Sequence, residues 1–163
     1  MSAGRRLTFV LAGLTLLALA LSLPGSLRDA YERGGLYLLS REFFEDIPKR
    51  LAGPGRFRFL LQPAIAAALG IRAGRADARA GKPPYLWALL FASEARRNLF
   101  RVSDKSIANL LLMGVLLDSV CQWLILGVSY PGAALVVGPV LIAAPYAVAR
   151  GLANRITRHG LEP

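Results

Sequence analysis

The chain has 163 residues, is 55% hydrophobic, and combines a mean hydropathy of +0.45 with a formal net charge of +10. Its length allows one compact unit and excludes a second domain of useful size. The hydropathy exceeds that of an ordinary soluble domain, and basic residues set between apolar runs point to anionic lipid headgroups rather than nucleic acid.

Residues 7–23 follow Arg5 and Arg6, carry no charge and end at Pro24-Gly25, a helix-stop signal. A basic start, a leucine-rich middle and the small residues Ala18 and Ala20 also fit a signal peptide. The run is long for a signal core and long enough to span, so the expectation is an uncleaved anchor. Next, Leu36, Leu39, Phe43, Ile47 and Leu51 recur at helical spacing among charged residues. Ser40 is placed to cap, Glu42 falls in the first turn, Pro48 bends or ends the helix and Gly53 lies just past it. This pattern predicts an amphipathic helix over residues 36–52, lying on the membrane surface or packed on the spans.

Residues 57–71 form a weaker apolar run, interrupted by Arg58, Gln62 and Pro63. Ala64/Ala68 and Ala66/Gly70 recur four apart, a surface that lets helix backbones approach closely in a membrane. Beyond it, Arg72, Arg75, Arg79 and Lys82 fall on one helical face, a basic stripe suited to lipid phosphates or a solvated juxtamembrane loop. Pro83-Pro84 opens a second amphipathic element over residues 84–100, whose Tyr85 and Trp87 suit the headgroup zone.

Residues 107–128 contain a single charge, Asp118. A bilayer core about 30 Å thick needs roughly 20 apolar residues in a helix, so this run spans and brings a carboxylate that hydrocarbon would not tolerate. Gly114, Asp118, Cys121, Gln122 and Ile125 share a limited arc of that helix, whereas Asn109 points away. Either Asp118, protonated or paired, joins its span to another helix or protomer, or it exchanges a proton or cation during transport. Residues 132–149 follow the short turn Ser129-Tyr130-Pro131, which predicts an antiparallel hairpin. Ala134/Gly138, Pro139 and Pro145 mark a packed, kinked helix, continued with a basic face by Arg150, Asn154 and Arg158.

With four crossings, thirteen of the twenty basic residues share the side of both termini, which predicts that both termini lie in the cytoplasm. Catalytic constellations are missing. His159, in the tail, is the one histidine and Cys121 the one cysteine, and there is no glycine-rich phosphate loop and no nucleophile elbow. Neither enzyme activity, a metal nor a cofactor is expected.

The phrase from Phe43 to Pro48, the run from Gly53 to Phe59 and Pro83-Pro84-Tyr85-Leu86-Trp87 resemble small uncharacterised bacterial inner-membrane proteins. The resemblance runs from about residue 40 onward and implies a location without implying chemistry. The expectation is therefore an all-α integral membrane protein, residues 1–163 forming one unit of about four transmembrane helices and two interfacial amphipathic helices. It would act as a non-catalytic accessory or scaffold subunit, with membrane lipids and other subunits or further copies of itself as partners. The competing expectation is a small oligomeric transporter coupled to protons or cations through Asp118.

Overall fold

Three of the apolar runs become helices long and apolar enough to cross a membrane, Gly4–Arg33, Ile107–Leu126 and Pro131–His159. The computed structural model describes residues 3–82 and 105–160, so the second amphipathic element, residues 84–100, lies outside the described residues. The described residues form six helices and no strand: α1 (Ala3–Arg33), α2 (Arg41–Glu45), α3 (Ile47–Ala52), α4 (Arg58–Arg79), α5 (Lys105–Leu126) and α6 (Pro131–His159).

The first helix does not stop at Pro24-Gly25 but runs through Pro24 to Arg33. Proline removes one backbone donor, so the Ala20 carbonyl loses its helical partner, a loss that long apolar helices tolerate. On either side of it, Ser22 Oγ donates to the Leu19 carbonyl and Ser26 Oγ to that of Leu23. The added turns carry the i,i+4 pairs Arg28–Glu32 and Asp29–Arg33. The stop comes at Gly34, with φ at +71°, where the Gly35 N–H reaches the Ala30 carbonyl at 3.1 Å.

The expected amphipathic helix over residues 36–52 is two short helices. Residues 36–40 form a turn with Leu39 at φ +65°, and α2 starts only after Ser40, whose Oγ accepts from the Phe43 N–H at 3.2 Å. Asp46 separates α2 from α3 because its carboxylate is held by Tyr37 and Lys49. The apolar stripe divides accordingly: Phe43 is buried, while Leu36, Leu39 and Leu51 are exposed.

The fourth helix also departs from expectation, covering Arg58–Arg79 rather than residues 57–71, and it is not among the three apolar enough to span. It continues past Ile71 because α6 continues beside it. The two run in the same direction: Ala66 packs with Ile142, Gly70 faces the Tyr146 carbonyl, Gly74 faces that of Arg150, and the Lys82 carbonyl accepts from Asn154 and Arg158. A Cβ on Gly70 would stand 2.5 Å from the Tyr146 oxygen, closer than atoms can sit. Of the two small-residue pairs, Ala66/Gly70 is at this interface, whereas Ala64 and Ala68 are exposed.

The α5–α6 hairpin turns at Gly127 and Tyr130, and its backbones meet where Gly114 faces Gly138. The α1 helix lies along α5 in the same direction, joined by Thr8 Oγ1 to Asn109 Oδ1 at 2.7 Å and by Thr15 Oγ1 to the Leu112 carbonyl at 3.2 Å.

Candidate functional site

Asp118 is the point on which the short helices, α4 and α5 converge. Its side chain is 0% exposed. Arg58, in the first turn of α4, donates from Nη2 to one carboxylate oxygen, and Gln122, one turn further along α5, donates from Nε2 to the other. The Gln122 carbonyl oxygen in turn accepts from the Tyr130 N–H at 2.9 Å, so the amide ties the carboxylate to the hairpin turn. Arg50 of α3 adds a second cation, its Nη1 3.7 Å from Asp118, an ion pair too long to be a hydrogen bond.

The loop reaches this depth because of local backbone choices. Gly53 ends α3 against Ile125, and Gly55, at φ +82°, rests on Cys121 Sγ with no room for a Cβ. Asp118 lies eight residues before the end of α5, roughly 12 Å along a helix rising 1.5 Å per residue. The loop therefore descends beside α5 before α4 begins.

Arg50 links this centre to the surface. Its Nη2 donates to the Tyr37 hydroxyl at 3.1 Å, and that hydroxyl donates to Asp46 Oδ2 at 2.8 Å. Lys49 pairs with the other Asp46 oxygen at 2.7 Å and is well exposed. The Arg50 guanidinium also lies over the rings of Tyr37 and Phe43, at 5.8 and 5.6 Å. Tyr37 stacks on Tyr130 with ring centroids 3.7 Å apart, and Arg33 donates to the Tyr130 hydroxyl at 3.1 Å. Burial pushes the Tyr37 hydroxyl up to about 12, against the pull of Arg50. Burial works in the same direction on Asp46, but hydrogen bonds from Lys49 and Tyr37 outweigh it and hold that carboxyl below its ordinary value.

The result is a continuous polar chain from Lys49 through Asp46, Tyr37 and Arg50 to Asp118, Gln122 and the hairpin turn. It is richer in cations than Asp118 alone balances. Arg50 Nε, Arg58 Nη1 and both amide atoms of Gln62, one turn after Arg58, are buried without a hydrogen-bond partner among the described residues. Its fixed, charge-assisted contacts suit a tie between segments.

A second ion pair fastens the other end of α4. Arg150 Nε meets Asp77 Oδ2 at 2.7 Å, and Arg150 Nη1 donates to the Tyr146 hydroxyl at 2.9 Å. Lys82 Nζ stands 3.9 Å from the same aspartate. Of the basic stripe, Arg72, Arg75 and Arg79 are exposed on the face of α4 away from α6, and Lys82 is joined to this end cluster.

The structure thus brings together most of the arc read from the sequence. Gly114 meets α6, Asp118 and Gln122 hold the ion cluster, and Cys121 backs Gly55, whereas Asn109 faces α1. Sequence reasoning missed Arg58 and Arg50 as partners of Asp118. A signal for Arg58 was present, since a guanidinium in an apolar run needs an anion and Asp118 is the carboxylate that α5 offers. Among the described residues no group of three or more metal-ligating side chains occurs. No protein-family model, curated protein or solved structure matches the chain.

Proposed function

We propose that the chain is a non-catalytic accessory or scaffold subunit of a bacterial inner-membrane assembly, with both termini in the cytoplasm. The observation that carries this reading is the state of Asp118, fully buried and bracketed by Arg58, Arg50 and Gln122. Both oxygens of this carboxylate are already taken, one by Arg58 and the other by Gln122, whereas a coupling site in a transporter must be open to its ion from each side in turn. Asp118 instead pins the loop of α2 and α3 to the α5–α6 hairpin. The apolar helices support the membrane location. In α1 just 11% of the most apolar window is buried, so most of that helix is left for lipid or for other subunits to cover. The descending loop followed by α4 would supply a fourth passage, which puts both termini on one side, and thirteen of the twenty basic residues then share that side.

The test has two parts. Mass spectrometry of the chain purified in mild detergent should find other membrane proteins in constant proportion, and a clean species without partners would count against an accessory subunit. In proteoliposomes, wild type and Asp118→Asn should both carry no proton or cation flux. Flux in wild type that vanishes in Asp118→Asn, with assembly unchanged, would establish the transporter instead.

A further inference from the structure

The exposed face of α4 changes character once along its length. Leu61, Ala64, Ile65 and Ala68 lie within an arc of about 100° on the side away from α6, and Arg72, Arg75 and Arg79 continue that same arc. Because α4 runs on to Arg79 instead of ending at Ile71, the three arginines form a helical face and not a loose loop. They make no ion pair or side-chain hydrogen bond among the described residues. The one described carboxylate at this end, Asp77, is already held by Arg150 and Lys82. Three guanidiniums therefore stand within about 10 Å of helix without a counterion.

Contacts between the helices show that this change falls at a common level. The bond from Thr8 to Asn109 sets Arg5 and Arg6 of α1 beside the start of α5. Ile107 packs against Ile142 and Tyr146, and Gly70 faces the Tyr146 carbonyl. The apolar run of α5 thus begins level with the last apolar turn before Arg150 in α6 and before Arg72 in α4. From Ile107 to Gly127 a helix rises about 30 Å, the thickness of a bilayer core. From Leu61 to Arg72 it rises about 16 Å, the depth of one leaflet.

We propose that this face of α4 binds an anionic glycerophospholipid, one acyl chain along Leu61, Ala64, Ile65 and Ala68 and the phosphate among Arg72, Arg75 and Arg79. The proposal rests on the membrane location argued above and on no particular partner or transport role. A soluble phosphate would use only half of the face, and a zwitterionic lipid would bring its own cation beside the guanidiniums. Guanidiniums match phosphate oxygens in a bidentate fork. The small side chains of Ala64 and Ala68, between Leu61 and Ile71, leave a shallow track for a chain.

The full chain is reconstituted in phosphatidylcholine vesicles holding a small fraction of photoactivatable lipid, either phosphatidylglycerol or phosphatidylcholine, with the reactive group on an acyl chain. Mass spectrometry is expected to map the phosphatidylglycerol crosslinks chiefly to Leu61, Ala64, Ile65 and Ala68. The phosphatidylcholine probe should label α4 and the exposed Leu16 and Leu124 alike. Arg75→Gln alone should lower phosphatidylglycerol labelling of α4 about fivefold, and Arg72→Gln/Arg75→Gln/Arg79→Gln should bring it to the phosphatidylcholine level. Arg28→Gln, the same charge change near the other end of α1, should leave it unaltered. Equal labelling by the two probes, no effect of the triple variant, or phosphatidylglycerol crosslinks spread evenly over Leu16, Leu124 and α4 overturns the proposal. So does inorganic phosphate that suppresses the crosslinks more than sodium chloride of equal ionic strength, which would make the arginines a site for a soluble phosphate. Release of the chain from membranes by alkaline carbonate would overturn the membrane reading itself, whereas an integrated chain without the preference refutes the lipid site alone.

Discussion

Arg58 and Asp118, sixty residues apart, meet as a buried hydrogen-bonded ion pair that neither helix could hold alone. Removing one member of such a pair strands the other. Arg58→Met leaves Asp118 with Arg50 and Gln122, and a loss of about 3 kcal/mol is expected. Asp118→Leu strands two guanidiniums and should cost about 5 kcal/mol or more. Thermal unfolding in detergent should therefore rank Asp118→Leu below Arg58→Met. The reverse order would mean that Arg50 does not share the carboxylate.

Cys121 supplies an internal reporter for the same contact, because it is buried beneath Gly55. Maleimide should label it slowly in the intact protein and rapidly in Arg58→Met, where the descending loop loses its anchor. Equal rates in the two proteins would mean that the loop holds its place without the ion pair.

The α4–α6 contact depends on missing side chains. Gly70→Ala drives a methyl group into the Tyr146 carbonyl, and overpacking of this kind costs about 1–3 kcal/mol. Ala64→Leu, on the exposed face of the same helix, should change stability by less than about 0.5 kcal/mol. Unfolding measurements on the two variants check the assignment of faces, and a larger loss from Ala64→Leu would reverse it.

The loop should loosen at both extremes of pH. Asp46 is held below its ordinary 3.8, so its contribution is present above that value and is lost as pH falls through the lower, folded-state value. Tyr37 is pushed up from 10.0 to about 12, so its contribution is complete below 10.0 and is lost as pH rises towards 12. Tyr130 is pushed up to about 12 as well, so tyrosine absorbance titration should find one late-ionising phenol fewer in Tyr37→Phe, with that of Tyr130 remaining. The acid arm should show as a fall in thermal stability below the ordinary aspartate range that is absent from Asp46→Asn.

These contacts explain what could be read in advance. Ser40 as a cap, Ala66/Gly70 and Ala134/Gly138 as close-packing positions, and the arc of Gly114, Asp118, Cys121 and Gln122 all follow from spacing along one helix. Arg50 and Arg58 as partners of Asp118 do not, because the loop geometry that delivers them depends on Gly53, Gly55 and the hold of Asp46 on Tyr37. The length of α1 was hidden for a related reason. Pro24 is a local stop signal, and hydroxyl-to-carbonyl bonds from Ser22 and Ser26 flank it in the extended helix.

The pair of ion contacts that fastens α4 also sets an order of events during synthesis. α4 is not apolar enough to count among the spans, and its anchors, Asp118 at one end and Arg150 at the other, lie in segments made later. A ribosome that has just released residues 58–79 has produced a helix with nowhere to settle. Its seat exists only when the C-terminal hairpin arrives, so among the described residues of a nascent chain cut short before residue 118, α1 is the one complete helix apolar enough to span.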